Sequence, residues 1–249
     1  MRTALVALLA VLAAVGVGAA ARDHRPAPFG DAVVTRSAGA ASADALRRGA
    51  DDTVQLYDRR SGQTAWSYRR PGRVPVHLFP LAGTTVAVWD DGMLTGIRPE
   101  PPSVRWHRFV PGLADWIEES EAPGAASRGI LLAPMNGGAV FLLLTPQLVV
   151  EYSTEDGAIR ADTLPPPGCA YDPARALAVD DLVVLARPCD RRSTVDAFGP
   201  DGRRWQALTS PLARPVSADA TSVGVRDVPR LLPETLDRAT GHPLPTPGL

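Results

Sequence analysis

Residues 56–66 read Leu56-Tyr57-Asp58-Arg59-Arg60-Ser61-Gly62-Gln63-Thr64-Ala65-Trp66. Asp58 is placed to accept backbone N–H groups at a turn start, and Gly62 supplies the positive φ that a tight turn needs. Trp66 then buries a large ring against a neighbouring sheet. Upstream, Val54 and Leu56 fall on one face of a strand. Downstream, Trp66 and Tyr68 do the same on the next. The stretch is a hairpin whose second strand carries a bulky anchor.

Related stretches recur along the chain. The sharpest is Leu236-Asp237-Arg238-Ala239-Thr240-Gly241-His242-Pro243-Leu244. Weaker ones are Tyr152-Ser153-Thr154-Glu155-Asp156-Gly157 and Ala197-Phe198-Gly199-Pro200-Asp201-Gly202-Arg203-Arg204-Trp205. Val104-Arg105-Trp106 carries the Trp strand without the Gly turn. The anchors fall near residues 66, 106, 161, 205 and 245, and the longest interval contains an inserted loop, Glu118 to Gly129. Asp90-Asp91-Gly92 and Thr145-Pro146-Gln147 each separate two apolar runs, as hairpin turns do. Leu182–Ala186 is a short apolar run suited to a buried strand.

Strands follow strands, with no long amphipathic helix, and Gly 22 plus Pro 25 supply many turns. A four-stranded sheet of ~40–45 residues cannot hide both faces alone, and radial stacking solves this. The expected fold is therefore all-β, a β-propeller of about five four-stranded blades over residues 44–249. The first blade is expected to be partial, with residues 29–36, including Val33-Val34, available as a missing strand. The structural repeat residues are Asp58, Gly62, Trp66, Trp106, Gly157, Gly202, Trp205, Asp237 and Gly241.

The Leu56-Tyr57-Asp58…Ser61-Gly62…Trp66 stretch resembles the quinoprotein-type (PQQ-like) β-propeller repeat, apolar-x-x-Asp-x-x-Thr-Gly-x-x-x-Trp. Ser61 stands for Thr in the first copy. The last copy keeps Asp237, Thr240 and Gly241 but has Pro245 at the Trp position, and the third copy lacks both the Asp and the Trp. The order of features also resembles exported PQQ-like repeat proteins of high-G+C bacteria. The resemblance implies one blade per copy. A quinone site in this family would imply an adjacent Cys-Cys pair, a Trp platform and a calcium ion. This chain has no Cys-Cys, and Asn136 is its sole asparagine. No cofactor is therefore expected.

At the N-terminus, Arg2 precedes an apolar run from Ala4 to Ala21, which ends in Ala19-Ala20-Ala21 before Arg22-Asp23. Residues 1–21 read as a hydrophobic helix, either a cleaved secretory signal or an uncleaved membrane anchor. Both place the body outside the cytoplasm. Residues 22–43, rich in Ala, Ser, Gly, Pro and Asp, read as a flexible tether. In an oxidising compartment, Cys169 and Cys189 are expected to pair as a disulfide.

Charge and motifs narrow the function. All 26 basic residues are arginine, which removes any Lys nucleophile or Walker lysine. A net charge of −1 without a basic block argues against nucleic acid as a partner. His24, His77, His107 and His242 stand at no metal-ligand spacing, so no metal site is expected. There is no GxSxG or GxxxxGK sequence, and no catalytic residue is assigned. Glu118-Glu119-Ser120-Glu121 reads as a solvated acidic loop. The Arg pairs 47–48, 59–60, 69–70, 191–192 and 203–204 sit at strand ends or turns, where a rim of them would attract an anionic envelope component. The expected role is a non-enzymatic binding or scaffold module with an unknown protein or envelope component as partner. An envelope enzyme or ligand sensor with an axial site is the alternative.

Overall fold

The computed structural model describes residues 31–35, 46–57, 61–81, 83–99, 102–121, 131–190, 193–210, 213–226 and 234–245. The apolar run 4–21 and the greater part of the 22–43 stretch lie outside them, as do Asp58, Arg59 and Arg60. No helix among the described residues is long and apolar enough to cross a membrane.

Five antiparallel sheets follow one another along the chain. Blade 1 joins β1 (Ala32–Thr35), β2 (Leu46–Ala50), β3 (Thr53–Tyr57) and β4 (Thr64–Arg69) in the order β1-β4-β3-β2. Blade 2 holds β5 (Pro75–Leu81), β6 (Thr84–Trp89), β7 (Met93–Pro99) and β8 (Pro102–Phe109). Blade 3 holds β9 (Leu131–Met135), β10 (Val140–Thr145), β11 (Leu148–Ser153) and β12 (Ile159–Thr163). Blade 4 holds β13 (Asp172–Val179), β14 (Leu182–Pro188), β15 (Ser193–Gly199) and β16 (Gly202–Thr209). Blade 5 has three strands among the described residues, β17 (Arg214–Ala218), β18 (Ser222–Arg226) and β19 (Glu234–Asp237).

The all-β propeller reading is the architecture observed. One detail of it is corrected. The first blade is not partial, because β1 pairs with β4 from Ala32↔Arg69 to Thr35↔Trp66. This is the strand that Val33-Val34 was expected to supply, and it lies inside the stretch read as a tether. Leu182–Ala186 is a buried strand, and the Asp90-Asp91-Gly92 and Thr145-Pro146-Gln147 turns join β6 to β7 and β10 to β11.

Burial explains why the sheets stack. Each consecutive pair of blades shares one apolar cluster. Val54, Leu56, Trp66 and Tyr68 of blade 1 meet Ala87, Trp89, Met93 and Ile97 of blade 2. Trp106 of blade 2 meets Phe141 and Tyr152 of blade 3. Leu142 and Leu144 meet Val183, Leu185 and Phe198 at the next junction, and Val195, Ala197 and Trp205 meet Val223, Val225 and Leu236 at the last. The core is thus a series of flat layers between sheets. The middle strands, buried on both faces, read as unbroken apolar runs rather than alternating ones.

A second correction concerns the inserted loop. Its start is helical, α1 (Leu113–Glu121), so the acidic residues do not lie on a loop. Leu113, Trp116 and Ile117 share one face at i, i+3 and i+4 and pack into the blade 2–3 cluster. Glu118 and Glu119 face solvent on the same helix. The helix escaped the sequence reading because it is only about two and a half turns long and its apolar triplet is too short for a periodic signal.

Candidate functional site

The repeat residues form a docking device between blades, and its register repeats. In β3–β4 the pairing is Leu56↔Trp66 and then Tyr57↔Thr64. In β7–β8 it is Gly96↔Trp106 and then Ile97↔Val104. In β11–β12 it is Glu151↔Ala161 and then Tyr152↔Ile159, and in β15–β16 it is Ala197↔Trp205 and then Phe198↔Arg203. Trp66, Trp106, Ala161 and Trp205 are therefore equivalent positions. Each follows a one-residue bulge, at Ala65, Arg105, Arg160 and Arg204. A bulge adds twist and re-aims the adjacent side chains.

Each docked indole reaches the turn of the following blade. Trp106 Nε1 donates to the Thr154 carbonyl at 3.1 Å, and Trp205 Nε1 donates to the Arg238 carbonyl at 2.8 Å. Thr154 and Arg238 each lie three residues before a turn glycine, Gly157 and Gly241. A Cβ on Gly157 would lie 2.6 Å from the Trp106 ring, and one on Gly241 would lie 2.5 Å from the Trp205 ring. Gly62, Gly157, Gly202 and Gly241 all have positive φ. Asp237 accepts the Ala239 and Thr240 N–H groups, and the Thr240 hydroxyl bond leads in holding its carboxyl below the usual range. Arg108 strengthens the blade 2–3 junction by donating to the Gly157 carbonyl at 2.6 Å.

Two junctions differ. Trp66 is buried, but among the described residues its Nε1 has no acceptor, since blade 2 lacks the Gly turn. At the blade 3–4 junction Ala161 replaces the indole, and its Cβ lies 3.6 Å from where a Gly202 Cβ would stand. Here the cross-strand partner takes over: Glu151 Oε1 accepts the Gly202 N–H at 2.9 Å. Glu151 is buried, and burial, helped by Asp201, pushes its carboxyl up to about 7.

Polar side chains hold β1 in place. Asp31 Oδ2 accepts the Tyr68 hydroxyl at 2.5 Å and His107 Nε2 at 2.9 Å. The carboxylate can only accept, so His107 donates from Nε2. Burial pushes the His107 pKa down, and burial with Asp31 pushes Tyr68 up. Arg70 lies over the Trp89 ring at 5.0 Å and grips Asp91 with both terminal nitrogens, at 3.1 and 3.0 Å. In blade 4, Arg187 Nε donates to the buried Asp196 at 2.5 Å. Arg69 pairs with Asp52. Arg69 and Arg70 are thus paired within the fold, while the 59–60 and 191–192 pairs lie outside the described residues.

Cys169 and Cys189 form the expected disulfide and tie the entry to β13 to the exit of β14. His77 and His242 lie on β5 and in the last turn, and His24 lies outside the described residues. Among the described residues no group of three or more His, Cys, Asp or Glu is placed to hold a metal ion.

One large cleft opens at the turn end of blades 2, 3 and 4, with a volume of about 1180 Å³. Its wall includes Arg98, Arg105, Arg160, Glu155 and Asp201, together with the Asn136-Gly137-Gly138 turn. These three turn residues have φ of 50, 62 and 89°. The buried Thr154 also lines it, with a hydroxyl that has no partner among the described residues. Sequence reasoning missed the cleft because its residues come from turns far apart in the chain. It also missed Glu151 and Asp31, although the absent tryptophan at 161 marks an unusual junction.

No protein-family model matches this chain, and no curated protein matches it. Several solved structures are similar in shape. BamB from Moraxella catarrhalis shares 12% identity over 81% of this chain and 72% of its own, with a TM-score of 0.42. A europium-containing methanol dehydrogenase shares 14% identity over 55% of this chain, with a TM-score of 0.35, and the match spans 27% of the dehydrogenase. The computationally designed Ika8 protein shares 12% identity over 86% of this chain and 61% of its own, with a TM-score of 0.49.

Proposed function

We propose that this chain is an exported, non-enzymatic β-propeller that serves as a binding or scaffold module at the cell envelope. The carrying observation is the cleft. Turns from three blades wall a polar depression large enough for a ligand or partner segment, on a scaffold fixed by inter-blade docking. Loops displayed by a rigid framework are where binding concentrates. The tryptophan and glycine repeats, the strongest signal in the sequence, are engaged in building that framework.

The Cys169–Cys189 bond supports an oxidising, extracytoplasmic location. In this reading residues 4–21 direct export, either as a cleaved signal or as an anchor. Affinity capture of the tagged full chain from envelope extract tests the role. A specific component should be enriched, and should be lost when Arg105 and Arg160 are both replaced by glutamate in the cleft. Enrichment of nothing beyond the tag control overturns the reading. N-terminal sequencing of the exported protein distinguishes cleavage from anchoring.

A further inference from the structure

The bulge preceding each docking position has a consequence for the cleft. The extra residue is Ala65 in blade 1, then arginine in three successive blades: Arg105, Arg160 and Arg204. Being unpaired in the ladder, these residues occupy the same place at the same end of adjacent sheets. Arg105 and Arg160 line the cleft directly. The Arg204 side chain instead lies across Gly199 of its own hairpin, where a Cβ would stand 2.1 Å from its Nε, and does not line the cleft. Arg98 adds a third guanidinium from the end of β7.

The remaining lining defines the ligand chemistry. Among the described residues none that lines the cleft is aromatic, and charged and polar groups dominate its wall. Arg105 meets Glu155 at 3.8 Å, and the Glu155 side chain is 81% exposed. Such a pair is weak and readily exchanged for a ligand anion. The Arg160 charge acts on the exposed Asp156 carboxyl, a surface interaction that a ligand anion can likewise displace. At Gly137 no atom lies within 4 Å of where a Cβ would stand, so a ligand can approach the backbone. Guanidinium groups match tetrahedral oxyanions with paired N–H donors.

We infer that the bulge arginines of blades 2 and 3, Arg105 and Arg160, together with Arg98, make this cleft a binding site for phosphate groups, carried by a soluble polyphosphate or polyol phosphate or by a phospholipid headgroup. The inference rests on the proposed role of the cleft as the binding surface of the module.

The test uses the purified full chain at low salt, with short-chain polyphosphate in one arm and phosphatidylglycerol vesicles in the other. Binding in the first arm alone assigns a soluble ligand, and binding to vesicles alone assigns the membrane surface. In either case Arg105→Gln with Arg160→Gln should weaken binding at least roughly tenfold. Glu155→Gln should tighten it, and Arg226→Gln, on β18 away from the cleft, should leave it unchanged. Unaltered thermal melts show that these exposed substitutions leave the fold intact. Absence of binding in both arms overturns the inference, as does equal weakening by the cleft pair and by Arg226→Gln. Failure here alongside successful partner capture leaves the module reading standing. Arginine-dependent phosphate binding without any captured component removes only the protein-scaffold reading.

Discussion

Glu151 Oε1 accepts the Gly202 N–H at 2.9 Å, at the junction where Ala161 occupies a position held by tryptophan in blades 1, 2 and 4. A carboxyl group thus performs, between blades 3 and 4, part of the docking that an indole performs on either side. The exchange makes this junction sensitive to protons.

The Glu151 pKa is raised from the ordinary 4.5 to about 7, chiefly by burial. A raised carboxyl pKa means that the folded state holds the proton more tightly than the unfolded state. Stability from this group is therefore full below pH ~4.5, falls as pH rises through 7, and is constant above, a loss on the order of 3 kcal/mol. Glu151→Gln keeps an acceptor for Gly202 and cannot ionise. Urea melts from pH 5 to 8 should show a decline for the native chain and a flatter profile for Glu151→Gln.

The turn glycines should rank by packing rather than by φ. Gly62→Ala meets no atom of the described residues within 4 Å, so backbone strain dominates, about 1–2 kcal/mol. Gly157→Ala and Gly241→Ala carry the same strain and also collide with Trp106 and Trp205, for a cost on the order of 3–5 kcal/mol. Gly202→Ala, facing only Ala161, should fall between them. Equal costs for Gly62→Ala and Gly157→Ala in denaturant melts would contradict indole docking.

Asp31→Ala removes the acceptor shared by Tyr68 and His107 and leaves the buried Tyr68 hydroxyl with His107 Nε2 alone. The expected loss is about 2 kcal/mol. Because Asp31 adjoins β1, limited proteolysis should cut on the N-terminal side of β2 sooner in the variant. Identical cleavage in both proteins would show that backbone pairing with β4 alone holds β1.

Replacing Cys169 and Cys189 together by serine opens a covalent loop with a sequence separation of 20. Chain-entropy reasoning gives a loss of about 3 kcal/mol. A melt with and without reductant should show this difference for the native chain and none for the double variant.

The turn chemistry was legible from residues alone. Ser61-Gly62, Asp90-Asp91-Gly92 and Thr240-Gly241 placed hairpins where the strands turn, because local φ requirements leave few residue choices. Trp66, Trp106 and Trp205 marked the docking strands, and the interval between them gave the blade length. The site was less legible. Arg105, Arg160 and Arg204 look like ordinary charged residues next to anchors, and nothing local shows that a bulge leaves each one unpaired. Asp31 sits in a stretch without strand periodicity, so its capture by Tyr68 and His107 is a tertiary event.

By itself, the sequence determined that this chain folds as successive antiparallel sheets, since turn geometry and apolar burial act over a few residues and repeat. Only the tertiary structure decided which strand completes blade 1, how Glu151 came to face Gly202, and where the arginines gather. Those relationships are set by the distance between side chains on different sheets, and that distance is fixed when apolar faces stack.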